Sequence, residues 1–396
     1  MSLPLISRNA DLRRLRDEGF EVTAVGDHLV VGHVPYVDSA RQVRYGTLVS
    51  ELTLTGDLTS QPSTHVVHFA GDMPCDRFGT PMSTLVVEGQ PAHPVTADLV
   101  AAHMFSHKPT PSGIYPNYYD KMTTYVAILA SQAQAIDPEA TAQTYEPVPD
   151  EGEDPVFNYL DTASSRAGIT VMAAKLAQPR VAIIGLGGTG AYILDYVAKT
   201  PVREIHLFDG DDFLQHNAFR APGAPTIDQL RSRPPKVEHL AQMYSAIRRG
   251  IVPHPYAVDE STIGELATMS FVFLAVDDGP AKKVIIDGLE AMKIPFVDVG
   301  MGVYEVDGRL AGVVRTTLST EPADVRHKAR ARISTDTGGG DQLYDRNIQI
   351  AELNALNAAL AVITWKKYVG FYNDLEHERF SAYAIDTNTL ISEDQA

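Results

Sequence analysis

The segment that most restricts how this chain can fold runs from Val181 to Asp209. An apolar stretch, Val181 to Ile184, leads into a turn, Gly185-Leu186-Gly187-Gly188-Thr189-Gly190, which is followed by a helical pattern and a second apolar stretch ending at Asp209. Glycines let backbone N–H groups and a helix N-terminus approach a phosphate closely. A carboxylate at the tip of the next strand can accept hydrogen bonds from ribose hydroxyls. The segment therefore predicts a nucleotide-binding unit, although the turn alone fits an NAD-dependent oxidoreductase as well as an ATP-using enzyme.

Length and composition narrow the class of protein. With 396 residues, 44% of them hydrophobic, the chain has room for two or three ordinary domains. Its formal charge of −17 argues against nucleic acid or an anionic membrane as a partner. No segment reaches the roughly 20 apolar residues of a membrane helix, and the N-terminus lacks the pattern of a secretory signal. Cys75 is the only cysteine, which excludes an intrachain disulfide and predicts a reducing, cytoplasmic location.

A change in composition predicts the domain boundary. Residues 137–161 are rich in proline and acidic side chains and interrupt any periodic pattern, which is typical of a linker. We therefore expect a smaller N-terminal α+β domain over 1–150 and a nucleotide-binding domain over 151–396. In the N-terminal domain the patterns predict β-structure within Glu21–Val34, His65–Phe69 and Thr84–Glu88 and a helix at Tyr118–Gln134.

The second domain has the element order of a parallel sheet. Strand and helix patterns alternate after the glycine turn, which predicts a Rossmann-like, doubly wound α/β fold with a mainly parallel sheet. Further strands are expected at Phe271–Val276, Ile294–Val299 and Arg309–Thr317. Ligands of such sheets bind beyond the carboxyl ends of the strands, so the polar residues that follow each strand are the candidates for a site.

Charged residues near these strand ends favour ATP over a dinucleotide. Arg220 and Lys236 follow Asp209 in the chain and could hold a β,γ-pyrophosphate, the first by bidentate contacts and the second as a point charge. Asp277 and Asp278 follow the fourth strand, where carboxylate oxygens could hold Mg²⁺. An alternative for this pair is that it caps the next helix.

Together these motifs resemble the ubiquitin-activating superfamily of adenylyltransferases, the ThiF/MoeB/HesA group. The family pattern is a GxGGxG turn, an aspartate ending the second strand, an Asn-x-x-Arg segment, a lysine at a helix start and an aspartate after the fourth strand. The matching residues are Gly185 to Gly190, Asp209, Asn217 with Arg220, Lys236 and Asp277, and the resemblance covers roughly Leu160 to Phe371.

The resemblance implies a role for each matched residue. Asp209 would bind the ribose, Asn217, Arg220 and Lys236 the phosphates, and Asp277 the magnesium. Family members also use an upstream arginine that reaches the ATP site of the partner subunit, and Arg166 matches it loosely, which implies a homodimer. The rest of the predicted nucleotide-binding set is Gly185, Gly187, Gly188, Gly190, Asp211 and Asp278.

The implied reaction joins a carboxylate to AMP. The C-terminal carboxylate of a carrier, typically the Gly-Gly end of a ubiquitin-like protein, attacks the α-phosphorus of ATP and releases pyrophosphate. The acyl-adenylate would then pass to a conjugating-enzyme-like partner, and the N-terminal domain is a candidate for binding the carrier or that partner. Other readings are activation of a sulfur-carrier protein for cofactor biosynthesis, an NAD-dependent oxidoreductase, and a catalytically silent dimeric scaffold.

The chain departs from the family in three places. Ala221 stands where a glutamine commonly follows the arginine, and the zinc-binding cysteine pairs of many members are absent. No cysteine occurs between Val313 and Leu343, where thioester-forming members carry their nucleophile. A conventional thioester step is therefore not expected. Hydroxyls in this segment are possible acyl acceptors instead, unless the segment is only a solvated connection; they belong to Ser334, Thr335 and Thr337.

Overall fold

The computed structural model describes residues 2–150, 154–335 and 348–393. The chain forms two compact units, one built from Met1–Asp154 with Tyr159–Ala167 and the other from Pro155–Asn158 with Gly168–Ala396. Within the described residues, no helix combines the length and the apolar character needed to cross a membrane.

The first unit is an antiparallel sheet with helices before and after it, which confirms the predicted α+β class. Five of its strands form one sheet in the order β1-β2-β3-β6-β9, and two pairs of very short strands make separate ribbons. Its elements are α1 (Ser2–Arg8), α2 (Ala10–Asp17), β1 (Val22–Val25), β2 (His28–Val37), β3 (Val43–Glu51), β4 (Leu54–Thr55), β5 (Leu58–Thr59), β6 (Val66–Ala70), β7 (His93–Pro94), β8 (Val100–Ala101), β9 (His103–Ser106), α3 (Tyr118–Gln134) and α4 (Thr162–Arg166).

Helix α3 has the predicted bounds. Asn117 caps its first turn by accepting a hydrogen bond from the backbone N–H of Asp120, and its apolar side packs in the core of the unit. The predicted strand at Thr84–Glu88 is wrong. The N–H groups of Leu85 and Val86 donate to the carbonyl of Met82, so the segment turns, and its only described strand-like pairing is one antiparallel bridge between Val86 and Phe105 of β9.

The second unit contains an eight-stranded mixed sheet in the order β12-β11-β10-β13-β14-β15-β16-β17. The first five strands in this order are parallel, and the last three run antiparallel. The elements are α5 (Thr170–Ala173), β10 (Arg180–Ile184), α6 (Gly188–Ala198), β11 (Glu204–Phe208), α7 (Ile227–Ser232), α8 (Lys236–Tyr244), β12 (Ile251–His254), β13 (Phe271–Leu274), α9 (Gly279–Ala291), β14 (Phe296–Val306), β15 (Arg309–Ser319), α10 (Ala323–Arg332), α11 (Ala351–Tyr368), β16 (Phe380–Ala384) and β17 (Thr389–Glu393).

Both faces of this sheet are covered, as the doubly wound prediction requires. Alternate residues of β10 point to opposite faces. Val181 and Ile183 pack in a core with residues of α6, α8 and α11, whereas Ala182 and Ile184 pack in another core with residues of α9. A strand buried on both faces reads as a continuous apolar run, which is why the sequence shows one here.

Strand β14 is longer than predicted because it continues past the parallel part of the sheet. Its end at Val306 and the start of β15 at Arg309 are joined by Asp307 and Gly308, which both have positive φ angles, 50° and 73°. Positive φ angles at both central residues are typical of a two-residue β-hairpin turn. The hairpin begins the antiparallel part of the sheet, which β16 and β17 continue, and it places Arg315 of β15 opposite Gly300 of β14.

Candidate active site

The glycine turn connects β10 to α6 through conformations that require glycine. Gly185 has a φ of 85°, and a Cβ at this position would lie 2.5 Å from the carbonyl oxygen of Ala275. A Cβ at Gly190 would lie 1.8 Å from the carbonyl oxygen of Gly185. Gly190 therefore lets the helix pack closely on the strand, and the turn exposes the N-terminus of α6 at the carboxyl edge of the sheet.

A cavity of about 980 Å³ lies at this edge. That volume is at the upper end of the roughly 300–1,000 Å³ of ligand sites, so it can hold a nucleotide. The predicted site residues on its wall are Gly185, Gly187, Gly188, Asp209, Asp211, Arg220, Lys236, Asp277 and Ser334. Residues separated by up to 149 positions in the chain, from Gly185 to Ser334, are thus brought to one place.

Asp209, Asp211 and Lys236 form an ionic cluster on the wall. The Nζ of Lys236 lies 2.6 Å from Oδ2 of Asp211 and 3.3 Å from Oδ1 of Asp209. Asp209 also accepts a hydrogen bond from the backbone N–H of Leu186, at 2.6 Å. Lys236 is the first residue of α8, where the helix dipole disfavours a cation, and the two carboxylates compensate for that position.

Two buried donors of the Asn-x-x-Arg segment have no partner among the described residues. The Nε of Arg220 and the Nδ2 of Asn217 are buried, and neither has a hydrogen-bond partner in the described part of the chain. The Oδ1 of Asn217, in contrast, accepts from the backbone N–H of Leu214 at 2.8 Å and so fixes the short 3-10 helix Gln215–Phe219. Buried donors left unpaired are costly, by about 1–3 kcal/mol each, so an acceptor from outside the chain is expected here.

The two adjacent aspartates after β13 have different surroundings. Asp277 lies on the cavity wall. The Asp278 carboxylate instead caps α9, where its Oδ1 accepts a hydrogen bond from the backbone N–H of Ala281 at 3.2 Å. The helix-cap alternative therefore describes Asp278 and not Asp277.

The remaining predicted residues are Arg166 and the three candidate acyl acceptors. Arg166 ends α4 in the first unit, so its predicted contact with a nucleotide stays a prediction. Ser334 is exposed on the cavity wall with Thr335 beside it in the chain, and Thr337 lies outside the described residues.

The cavity also contains polar residues that the sequence did not single out. Asn354 and Asn357 are buried on α11, and Asn357 lies on the wall. The sequence signal for them is two amides three positions apart in an apolar stretch of the helix, a spacing that places both on one face. Lys282 and Arg315 also line the cavity.

Lys282 and Arg315 share a buried carboxylate. Asp298 is fully buried, with its Oδ1 at 2.8 Å from Lys282 Nζ and its Oδ2 at 3.5 Å from Arg315 Nη1. Burial raises the pKa of the Asp298 carboxyl, and the two cations oppose that shift. Two positive charges against one negative charge leave this wall of the cavity with a local excess of positive charge.

Residues 162–371 match the ThiF family, which is more than half of the chain, so the protein belongs to the ThiF family. This membership supports ATP-dependent adenylation of a substrate carboxylate. Residues 10–162 match a family described as a domain of unknown function, DUF6791. No curated protein matches the chain.

Solved structures give distant likenesses. PaaA is 15% identical, with a TM-score of 0.46 over 69% of this chain and 85% of that one. E. coli MccB solved with succinimide is 17% identical, with a TM-score of 0.42 over 58% of this chain and 71% of that one. MccB solved with ATP is likewise 17% identical, with a TM-score of 0.41, 57% of this chain and 66% of that chain being covered. Likenesses at this level say nothing about the substrate or partner of the present protein.

Proposed function

We propose that this protein uses ATP to adenylate the C-terminal carboxylate of a ubiquitin-like carrier protein with a Gly-Gly end. The observation that supports this most is the buried, unpaired donor pair of Arg220 and Asn217 beside a cavity that also contains the glycine turn and Lys236. Together they supply donors for a polyphosphate, and a dinucleotide that the glycine turn already serves would leave them unused.

The nucleotide would lie with its ribose at Asp209 and its phosphates at the glycine turn. Lys236 is already close to Asp209, so ribose and phosphate binding are linked through one ionic cluster. In this proposal Arg220, Asn217 and Lys236 hold the phosphates, and Asp211 keeps the Lys236 ammonium in place. Asp278 contributes by fixing the start of α9 directly after Asp277.

Asp277 suits a magnesium ion that arrives with the nucleotide. Among the described residues no group of three carboxylates, histidines or cysteines is arranged to hold a metal by itself. Mg²⁺ commonly binds through one or two carboxylates together with substrate phosphates and water, so one wall carboxylate fits that manner of binding. When bound, the ion would neutralise pyrophosphate charge and polarise the α-phosphorus.

The residues of the chain would act mainly by positioning. The carrier carboxylate is already ionised and needs no general base. One of its oxygens forms a bond to the α-phosphorus, the bond from that phosphorus to the bridging oxygen of the β-phosphate breaks, and pyrophosphate leaves with the electron pair. Arg220 and Lys236 stabilise the charge that develops on the leaving group.

What receives the acyl group is a separate step. The segment from Val313 to Leu343 has no cysteine, so we propose transfer without the family's crossover thioester. Of the three predicted acceptor hydroxyls, the described one on the cavity wall belongs to Ser334, which makes it the candidate for an oxyester. Direct transfer to a conjugating-enzyme-like partner is the other route. We further propose that the first unit binds the carrier or that partner, and that the chain acts as a homodimer in which Arg166 reaches the partner's nucleotide.

Carrier-dependent ATP–pyrophosphate exchange tests the adenylation step. We expect exchange with a ubiquitin-fold protein ending in Gly-Gly and none with the same protein lacking these two residues. Asp277→Ala and Arg220→Ala should each lower the exchange rate by about 10²–10³ fold. Lys283→Ala is the matched control, because this exposed residue of α9 pairs with Asp287 on the same helix. Absence of Mg²⁺-dependent exchange and of ATP turnover would overturn the proposal, and a reduction-linked absorbance change would indicate an oxidoreductase.

A further inference from the structure

The side chain of Asn354 connects α11 to two other parts of the candidate site, the first turn of α6 and the backbone of Arg220. Its side chain is 0% exposed on the first turn of α11. Its Oδ1 accepts a hydrogen bond from the hydroxyl of Thr189 at 3.0 Å, and its Nδ2 donates to the backbone carbonyl of Arg220 at 3.1 Å. One buried amide thus joins α11, the first turn of α6 and the backbone of the arginine assigned to the phosphates.

Gly188 makes room for this amide. A Cβ at Gly188 would lie 1.9 Å from the Nδ2 of Asn354, so no larger residue fits while Asn354 keeps its position. The third glycine of the turn is therefore required by contact with α11 as well as by any phosphate. An apolar side chain at position 354 would leave the Thr189 hydroxyl and the Arg220 carbonyl without these partners, which is unfavourable in a buried site.

Arg220 depends on its backbone contacts for its position. Its N–H donates to the carbonyl of Asn217, and its carbonyl accepts from Asn354. The preceding residue, Phe219, is 79% exposed, whereas the following residue, Ala221, is buried in the core, so packing holds the segment on one side of Arg220 only. The bond to Asn354 therefore ties the Arg220 backbone to the glycine turn at a defined distance.

We propose that Asn354 is a positioning residue that sets the distance between Arg220 and the glycine turn, and thereby the preference of the site for ATP over AMP. This inference rests on the proposed function, in which Arg220 contacts the β- and γ-phosphates. AMP has neither phosphate, so its binding should depend on Asp209 and the turn and not on the placement of Arg220.

Calorimetric binding of ATP and AMP, each with Mg²⁺, to the full chain tests the inference. Asn354→Ala should lower the ratio of ATP to AMP affinity by about tenfold, the value of one buried hydrogen bond of good geometry. Arg220→Ala should lower the ratio at least as much. The double variant should be no worse than Arg220→Ala alone, because Asn354 acts through Arg220.

Leu353→Ala is the matched control for general damage to α11. Leu353 is buried against Val303 and Val314 and makes none of the contacts of Asn354. It should lower thermal stability and leave the affinity ratio unchanged. Asn354→Asp provides a nearly isosteric second variant, which keeps an acceptor for Thr189 and loses the donor to Arg220.

The failures of the two proposals are distinguishable. If the wild-type chain binds neither nucleotide, the proposed function itself fails and the role of Asn354 with it. If the wild type prefers ATP but both position-354 variants keep the ratio, the inference alone is wrong. Equal losses for ATP and AMP, or additive losses in the double variant, would likewise reduce Asn354 to a structural residue.

Discussion

Both units bury lysine side chains, and Lys236 of the second unit and Lys121 of the first are compensated very differently. Lys236 in the second unit is 6% exposed and lies within ionic contact of Asp209 and Asp211 beside the cavity. Lys121 in the first unit is 0% exposed, and its ammonium donates at 2.8 Å to the hydroxyl of Ser50. Burial lowers the pKa of Lys121 to about 8, against a partial opposing effect of Glu51.

This difference separates a buried charge that belongs to the candidate site, Lys236, from a buried charge that lowers the stability of its unit, Lys121. Beside the cavity of the second unit, the buried Lys236 has two carboxylate partners, so its charge can be retained at little cost until a ligand arrives. In the first unit a neutral hydroxyl replaces the carboxylate, and the charge of Lys121 opposes folding.

The largest expected effect comes from another buried cation, Arg248 of the second unit. Its guanidinium donates to the backbone carbonyls of Thr200, Val202 and Arg203, near the end of α6. Arg248→Met leaves these carbonyls without that partner, so we expect a loss of about 3–5 kcal/mol in the free energy of unfolding.

Denaturant unfolding followed by Trp365 fluorescence measures this loss. Trp365 is the only tryptophan and is fully buried in the second unit, so it reports on that unit. Arg249→Met is the control at the neighbouring exposed position and should change stability by less than about 0.5 kcal/mol. A loss below about 1 kcal/mol for Arg248→Met would show that backbone carbonyls compensate a buried cation poorly even in the second unit.

Lys121→Met should have the opposite sign. An apolar side chain of similar length removes the uncompensated charge, and Ser50 keeps its hydrogen bond to the carbonyl of Glu51. We expect the first unit to be stabilised by about 1–3 kcal/mol at pH 7. Hydrogen exchange of peptides from β2 and β3 measures the change, with correction for intrinsic exchange rates.

The pH dependence of this effect has a defined direction. Lys121 has a native pKa of about 8, below the unfolded value of about 10.4, so the native state binds fewer protons between these values. The wild-type unit should therefore gain stability as pH rises through this window, and its deficit relative to Lys121→Met should shrink. A deficit that is constant from pH 7 to about 9.5 would contradict the assignment of the cost to charge.

The sequence predicted the parts of this molecule that are encoded locally. The glycine turn, Asp209 and the bounds of α3 follow from short patterns, and these agree with the structure. The contacts of Asn354 and Lys121 could not be predicted, since each depends on elements far apart in the chain. The continuation of β14 past the parallel part of the sheet likewise depends on its pairing with β15. A local run of apolar residues does not show which strand it will pair with.

Asp278 gives a smaller effect that separates structural from functional charge within the site. As the N-cap of α9 it should contribute about 1 kcal/mol, so Asp278→Ala should lower the free energy of unfolding by that amount. Asp278→Asn is the matched control, because asparagine caps as well as aspartate, and it should restore stability. If Asp278→Asn keeps stability but loses ATP affinity, the carboxylate charge itself serves the nucleotide.

The smallest expected effect is a loss of stability of the second unit in acid, whereas Lys121 changes the stability of the first unit in the alkaline range. His206 and His254 lie with ring nitrogens 3.0 Å apart, and burial lowers the pKa of both, while Glu204 and Glu265 offset part of the shift of His206. The native state therefore binds fewer protons than the unfolded state once pH falls below about 6.5, and stability should decrease with acidification. Trp365 fluorescence unfolding between pH 7.5 and 5 should show this decrease, and His206→Gln should flatten it. If the free energy of unfolding of His206→Gln depends on pH as steeply as that of the wild type, the acid sensitivity arises from other groups. The alkaline response of Lys121 would then be the one pH effect assigned to a residue in the comparison of the units.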